Sequence, residues 1–383
     1  MGDPAMRGPW RALELKSAGL AVALLPENGC DIVEVVDRAS GIDVMMRAPW
    51  GFGRRPTATA SAERFIESYP GGWQVLLPNG GDAVAQQGTE WGFHGEAAVV
   101  PWTIEAQDAS SARLTTCLMT APLEIERKIR LHDRALEVIE RVRHVGRDPI
   151  DVMWGHHPAF GAPLVEPGSV ISTGARTFTA DDRAPGAGLE PGRSSAWPHA
   201  ALADGGTIDL SVIPPADEPR SVLGYLGDFD EGAYTITNTR LGLSATLRWP
   251  LELFPHAWFW QELHGLSGYP WFRRAYTTAI EPNSTVPGQG IERARARGGI
   301  PLTLEPGATR EARLQLELAD AEAPLGVPEV AAATGRVAGT TPPVAMQTTC
   351  SASAHLAHAA RAGLAEPRFV ARGQSNVRGG TFA

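Results

Sequence analysis

Leu123-Glu124-Ile125-Glu126-Arg127-Lys128-Ile129-Arg130 alternates at period two, the spacing of a strand with an apolar face and a charged outer face. The strand so predicted, Leu123 to Leu131, has neighbours of similar character. Ala112 to Met119 precedes it and Ala135 to His144 follows. Thr120-Ala121-Pro122 and His132-Asp133-Arg134 supply turns, so the three runs read as a meander. The same signature extends both ways. Leu13 to Leu25 and Cys30 to Asp37 read as two strands joined at Asn28-Gly29, a hairpin signal, with another turn at Ala39-Ser40-Gly41. Ile150 to Trp154, Tyr234 to Asn238, Leu243 to Trp249, Ala257 to Glu262 and Tyr276 to Glu281 continue the series. Ile300 to Leu304 and Ala312 to Leu318, split by Pro306-Gly307, resemble a closing hairpin. Sustained helical periodicity is almost missing before residue 320. Strands this numerous predict an all-β fold, a large antiparallel β-sandwich, rather than a βαβ arrangement.

Residues 1–11 read as a loose N-terminal arm and 12–320 as one sandwich domain. Within it, Ser172 to Pro219 is rich in Gly, Pro, Ser and Asp, and predicts a long excursion with little regular structure. Residues 321–383, dominated by Ala, Gly, Thr and Pro, read as a low-complexity, disordered extension, with a short helix expected at Ala354 to Ala365.

Of the 383 residues, 43% are apolar, enough for a substantial core. A net charge of −9 disfavours nucleic acid or an anionic membrane as partner. No apolar run approaches the roughly 18 residues of a membrane span. Gly19 to Leu25 is short and lacks a cleavage site, so it reads as a strand and not as a signal peptide. Cys30, Cys117 and Cys350 are widely spaced, odd in number and without CxxC, which argues against a disulfide framework or a structural zinc site. A reducing, cytoplasmic location fits. The oligomeric state is not legible.

Two chemically capable stretches stand far apart: Trp154-Gly155-His156-His157-Pro158-Ala159-Phe160-Gly161 and Ile280-Glu281-Pro282-Asn283-Ser284. An imidazole and a carboxylate can act as proton donor and acceptor at neutral pH, and a histidine held cationic near a glutamate meets both needs. Turn-rich segments between strands could bring them together. Taken alone, His157 could be a histidine satisfied at a strand end, and Glu281 could cap the turn before Pro282. Trp91-Gly92-Phe93-His94-Gly95-Glu96 adds a third histidine. Its His-x-Glu with His157 superficially fits an iron triad, but the motif is short and matches often by chance. Tryptophans could stack on the apolar face of a ring-shaped ligand, with Trp260 the chosen candidate and Gln261 and Glu262 behind it as polar contacts. Asn79 could point into the pocket or make an Asx turn.

Four stretches carry a family resemblance: Tyr69-Pro-Gly-Gly-Trp73-Gln-Val-Leu-Leu-Pro-Asn79-Gly-Gly81, His94-Gly95-Glu96-Ala97 with Pro101-Trp102, His157-Pro158-Ala159-Phe160, and Ile280-Glu281-Pro282-Asn283-Ser284. In order and spacing they resemble the aldose 1-epimerase (galactose mutarotase-like) family over roughly residues 12 to 318. The resemblance implies a galactose mutarotase-like super-sandwich, a small-molecule sugar substrate, and interconversion of α and β anomers without metal or cofactor. It also implies His157 as general acid, Glu281 as general base and His94 as the second histidine on the sugar. Ala159 and Gly161-Ala162 depart from the family pattern. The family's substrate arginine has three candidates, Arg47, Arg54 and Arg64, and its aspartate two, Asp228 and Asp230. Two other readings are a sugar-binding protein without turnover, and an epimerase of a phosphorylated or acidic sugar held by Arg54-Arg55 or Arg273-Arg274.

Overall fold

The computed structural model describes residues 5–321. The predicted extension at 321–383, its helix and Cys350 therefore lie outside the described residues, except Ala321. Two large antiparallel sheets face each other. The eight-stranded sheet runs in the order Val170–Thr173, Ala233–Asn238, Leu243–Arg248, Thr309–Asp320, Ala135–His144, Leu123–His132, Ser111–Cys117, Thr103–Gln107. The ten-stranded sheet runs Ser194–Ala196, Thr177–Ala180, Arg220–Gly227, His256–Leu263, Tyr276–Asn283, Gly155–Gly161, Trp73–Leu76, Asp31–Asp37, Leu20–Leu25, Leu13–Lys16. This is the all-β antiparallel sandwich that the alternation predicts. The only helices among the described residues are Ser61–Ser68 and Ile291–Ala296, and none is long and apolar enough to cross a membrane.

Strand parity builds the core. Ile125, Ile129, Val138 and Val142 of one sheet are buried with Val22, Val75, Phe160, Phe259 and Ile280 of the other. Burying a side chain of this size is worth about 1.5–3 kcal/mol. The core also holds a charged pair. Arg127 and Glu140 are direct cross-strand partners, 1% and 0% exposed.

The meander expected over residues 112–144 is present as three consecutive antiparallel strands. Several local readings need correction. Leu13 to Leu25 is two strands, broken where Ser17 Oγ accepts the Leu20 N–H in a tight turn. The expected closing hairpin does not form: Leu302–Leu304 pairs with Ile150–Val152, while Thr309–Asp320 runs between Ala135–His144 and Leu243–Arg248. The excursion at 172–219 contains short strands, two of which join the edge of the ten-stranded sheet. The supposed loose arm carries a Met6–Arg7 to Trp10–Arg11 ribbon. Its Trp10 is buried with Leu25 and Val33 and donates to Phe52 O, so apolar burial holds the segment down.

Candidate active site

The outer face of the ten-stranded sheet carries the site. Phe160 and Ile280 point into the core, so alternation turns His157, Ala159, Ala279 and Glu281 outward. Gly155 pairs with Asn283 and Ala159 with Ala279, and this register sets His157 directly opposite Glu281. A side chain at Gly155 would collide with the buried Asn283 side-chain amide, so the seating of that amide over the strand favours glycine there. The two motifs, expected at strand ends, thus lie within neighbouring strands of one sheet.

His157 Nε2 lies 3.6 Å from Glu281 Oε1. Both residues are buried, at 7% and 2% exposure, and both line a cavity of about 400 Å³. Among the described residues, His157 Nδ1 and Glu281 Oε2 have no hydrogen-bond partner. Burial pushes the Glu281 carboxyl well above the usual carboxylate range and the His157 imidazole down to about 4. Burial thus works against the cationic histidine expected from sequence, since it favours the uncharged form of both groups.

His94 completes the polar floor. It sits in the left-handed region at φ 60°, held by its backbone N–H to Gly81 O at 3.0 Å. Its Nδ1 accepts the Gly81 N–H at 3.1 Å, which places the ring proton of the neutral form on Nε2. Burial, and then the nearby His157, keep His94 well below its ordinary pKa. The two imidazole centroids are 5.7 Å apart. Aromatic rings wall the rest: Trp260 lies 5.6 Å from His157, Trp271 5.4 Å from Trp260, and Tyr69 5.8 Å from His157. Trp258 also lines the cavity, yet its ring is clasped between Gly80 and Gly288, and its N–H donates to Thr285 O.

Two sequence candidates do not face the cavity. Gln261 shares the inward parity of Phe259, and it is fully buried with neither amide atom partnered among the described residues. Asn79 is fully buried and does the Asx-like work instead. Its amide donates to Asp82 O and Gly92 O and accepts the Ile291 N–H. Asn79→Ala should cost about 1–3 kcal/mol, because those backbone groups lose their partner. Urea unfolding measures this; an unchanged midpoint with a raised KM would return Asn79 to the sugar.

The remaining candidates scatter. Arg47 pairs with Glu34, Arg54 with Glu67, and Arg55 with Glu27, and none of them lines the inner cavity, nor does Arg64. Asp230 pairs with Arg176, and Asp228 accepts from Thr177 and borders a different cavity. His156 faces the core, where its Nδ1 accepts from Trp73. Glu262 accepts the Leu266 N–H at the start of the next loop. Glu96 is occupied by the Met119 and Thr120 N–H groups and the Thr120 hydroxyl, so it does not complete the iron triad weighed from sequence. Sequence reasoning missed Asp181, Arg183 and Gln289, which do line the cavity. Asp181 is saturated by the Tyr225 hydroxyl, Gln289 and the Arg183 and Ala184 N–H groups, so it fixes the wall. Arg183 pairs with Asp82 at the rim. The only signal for Asp181 and Arg183 was an Asp-Asp-Arg run inside the Gly- and Pro-rich excursion, and Gln289 sits in a separate Pro-Gly-Gln-Gly stretch.

Residues 8–318 match a family model whose description is Domain of unknown function (DUF4432). No curated protein matches the sequence. Among solved structures, the Slr1438 protein of Synechocystis sp. PCC 6803 superposes with a TM-score of 0.60 at 15% identity, over 84% of this chain and 98% of that one. A galactose mutarotase-like protein from Lactobacillus casei gives 0.53 at 17% identity, over 80% and 100%. Another such protein, from Clostridium acetobutylicum, gives 0.55 at 16% identity, over 81% and 96%. The likeness is one of fold.

Proposed function

The chain belongs to the DUF4432 family, whose description assigns no activity, and from the geometry of its cavity we propose that it acts as an aldose 1-epimerase, interconverting the α and β anomers of an aldose or related sugar. One observation carries this reading: His157 and Glu281 meet at 3.6 Å across adjacent strands inside an aromatic-walled cavity of about 400 Å³. The galactose mutarotase-like names of proteins sharing the fold support it.

Mutarotation takes a proton from the anomeric hydroxyl and places one on the ring oxygen. In the proposed step Glu281 accepts the first and His157 donates the second. The bond from C1 to the ring oxygen breaks and an aldehyde forms. Rotation about C1–C2 presents its other face, and closure returns both protons. The closed ring thus calls for imidazolium and carboxylate, and the open chain for imidazole and carboxylic acid. Both states hold the same single proton, so the cycle needs no cofactor. Burial favours the second state. Sugar hydroxyls donating to Glu281 would restore the first, and each positioned group is worth about 10²–10⁴-fold. His94 Nε2–H is a donor for a sugar oxygen, and Trp260 offers an apolar face.

The pH profile of kcat/KM follows from the same proton. With His157 lowered to about 4, a second proton below that pH leaves no base, and the rate should fall. With Glu281 raised, the alkaline limb, where no acid remains, should lie well above the usual carboxylate range. Exchange rates corrected for the spontaneous reaction trace both limbs; a flat profile would contradict the shared-proton pair. The activity itself is tested by NMR exchange between anomers across a panel of aldoses. No acceleration for any sugar would overturn the reading, and tight binding without exchange would make the protein a sugar carrier instead.

A further inference from the structure

Resting on the mutarotase reading, we propose that the substrate is a reducing disaccharide or longer glycan, whose second ring occupies an outer subsite formed by Tyr269 and Phe272. The loop between the His256–Leu263 and Tyr276–Asn283 strands has two aromatic faces. Pro270 and Trp271 line the inner cavity, while Tyr269 and Phe272 stand 60% and 56% exposed. These two rings lie 6.4 Å apart and nearly perpendicular. They border a second cavity of about 690 Å³, together with Arg54, Glu63, Glu67 and Arg274. Ile66 and Pro270 line both cavities, so the outer one adjoins the inner.

A single exposed aromatic is ordinary, whereas two on one fixed frame beside a pocket need a reason. The loop is held firmly. Arg273 N–H donates to Leu266 O at 2.7 Å, Phe272 N–H donates to Gly268 O at 2.8 Å, and Trp271 stacks on Trp50 at 5.3 Å. Phe272 and Arg273 both occupy the left-handed region, at φ 47° and 56°, a conformation that costs free energy for bulky residues. The fold spends that cost to display the Phe272 ring instead of burying it.

The outer chemistry matches a pyranose. Aromatic faces take the ring's C–H surface, and carboxylate and guanidinium groups read the hydroxyl rim. Glu63 has no hydrogen-bond partner among the described residues, and Arg274 uses one nitrogen on Pro49 O. Position matches too. The anomeric carbon must reach His157 and Glu281 on the cavity floor, so the opposite end of that ring faces the mouth, where a glycosidic bond would lead into the outer groove.

The test compares maltose with glucose, and lactose with galactose, on the full chain. Anomer exchange is followed by NMR and binding by tryptophan fluorescence. The disaccharides should show the higher kcat/KM. In Tyr269→Ala/Phe272→Ala, their KM should rise roughly tenfold, the effect of losing about one stacking contact, with a much smaller change for the monosaccharides. Equal effects on both classes, or disaccharides refused where monosaccharides turn over, would overturn the subsite and leave the mutarotase reading standing. Disaccharide binding that depends on the two aromatics but produces no exchange would support the subsite and overturn the mutarotase. No binding of either class would overturn both. A change in oligomeric state by light scattering, with KM unmoved, would assign the patch to a second copy of the chain and overturn the proposal.

Discussion

Glu281→Gln is expected to lower the enzyme-catalysed anomer exchange by about 10²–10⁴-fold, the worth of one positioned acid–base group. Sugar affinity should change only a few-fold, because the amide keeps the shape and one acceptor of the carboxyl. Folding should not suffer either. Glu281 is 2% exposed, its Oε2 has no partner among the described residues, and burial already drives it toward the uncharged form. Replacing it with a neutral isostere removes a desolvation cost instead of a contact. The variant thus separates chemistry from structure: exchange by NMR should collapse while fluorescence titration and thermal unfolding stay near wild type. An unchanged rate would refute the base. Loss of rate together with loss of binding would mean that Glu281 holds the sugar without moving a proton.

Strand parity explains which parts of the site could be read in advance. His157 and Glu281 were legible as residue types in motifs, and parity also separates His157 from His156, since Phe160 marks the inward face. The same rule exposes the error at Gln261. Trp260 and Gln261 are consecutive in one strand, so they cannot both face the cavity. What sequence could not supply was pairing between distant strands. Nothing local in Leu302–Leu304 says that it joins Ile150–Val152, or that Thr309–Asp320 enters the middle of a sheet. Turn chemistry at Pro306-Gly307 reports a reversal and not the partner. The loop-borne wall at Asp181, Arg183 and Gln289 was hidden for the same reason, because its order comes from contacts as remote as Tyr225 and Asp82.

Arg127→Met should be the most damaging core substitution, costing about 3–5 kcal/mol, since it leaves Glu140 buried without its counter-charge. The alternation that reveals the fold also marks this pair. In the Leu123–His132 strand, Arg127 takes the place of an apolar residue in the inward series Leu123, Ile125, Ile129, Leu131; in Ala135–His144, Glu140 interrupts Leu136, Val138, Val142. The two polar breaks fall opposite each other. Arg127 Nε donates to Glu140 Oε1 at 2.6 Å and its Nη1 to Cys30 O at 2.8 Å. Trp154 Nε1 donates to Glu140 Oε2 at 3.2 Å, and His156 Nε2 lies 3.5 Å from that oxygen. The pair therefore ties the eight-stranded sheet to the strand that carries His157. Burial alone would raise the Glu140 carboxyl, yet Arg127 and then His156 hold it below its ordinary value. Since its folded pKa is the lower one, its contribution is complete above the unfolded carboxylate range and drains away as pH falls through the lowered value. Removing Arg127 reverses the sign: Glu140 would then rise and take up a proton, so the penalty in urea unfolding should shrink between pH 7 and pH 5. Arg127→Met/Glu140→Leu should recover most of the loss, as a matched apolar pair needs no counter-charge. A penalty below about 1 kcal/mol, or one that ignores pH, would mean that water reaches Glu140 and that the sheets are joined by apolar packing alone.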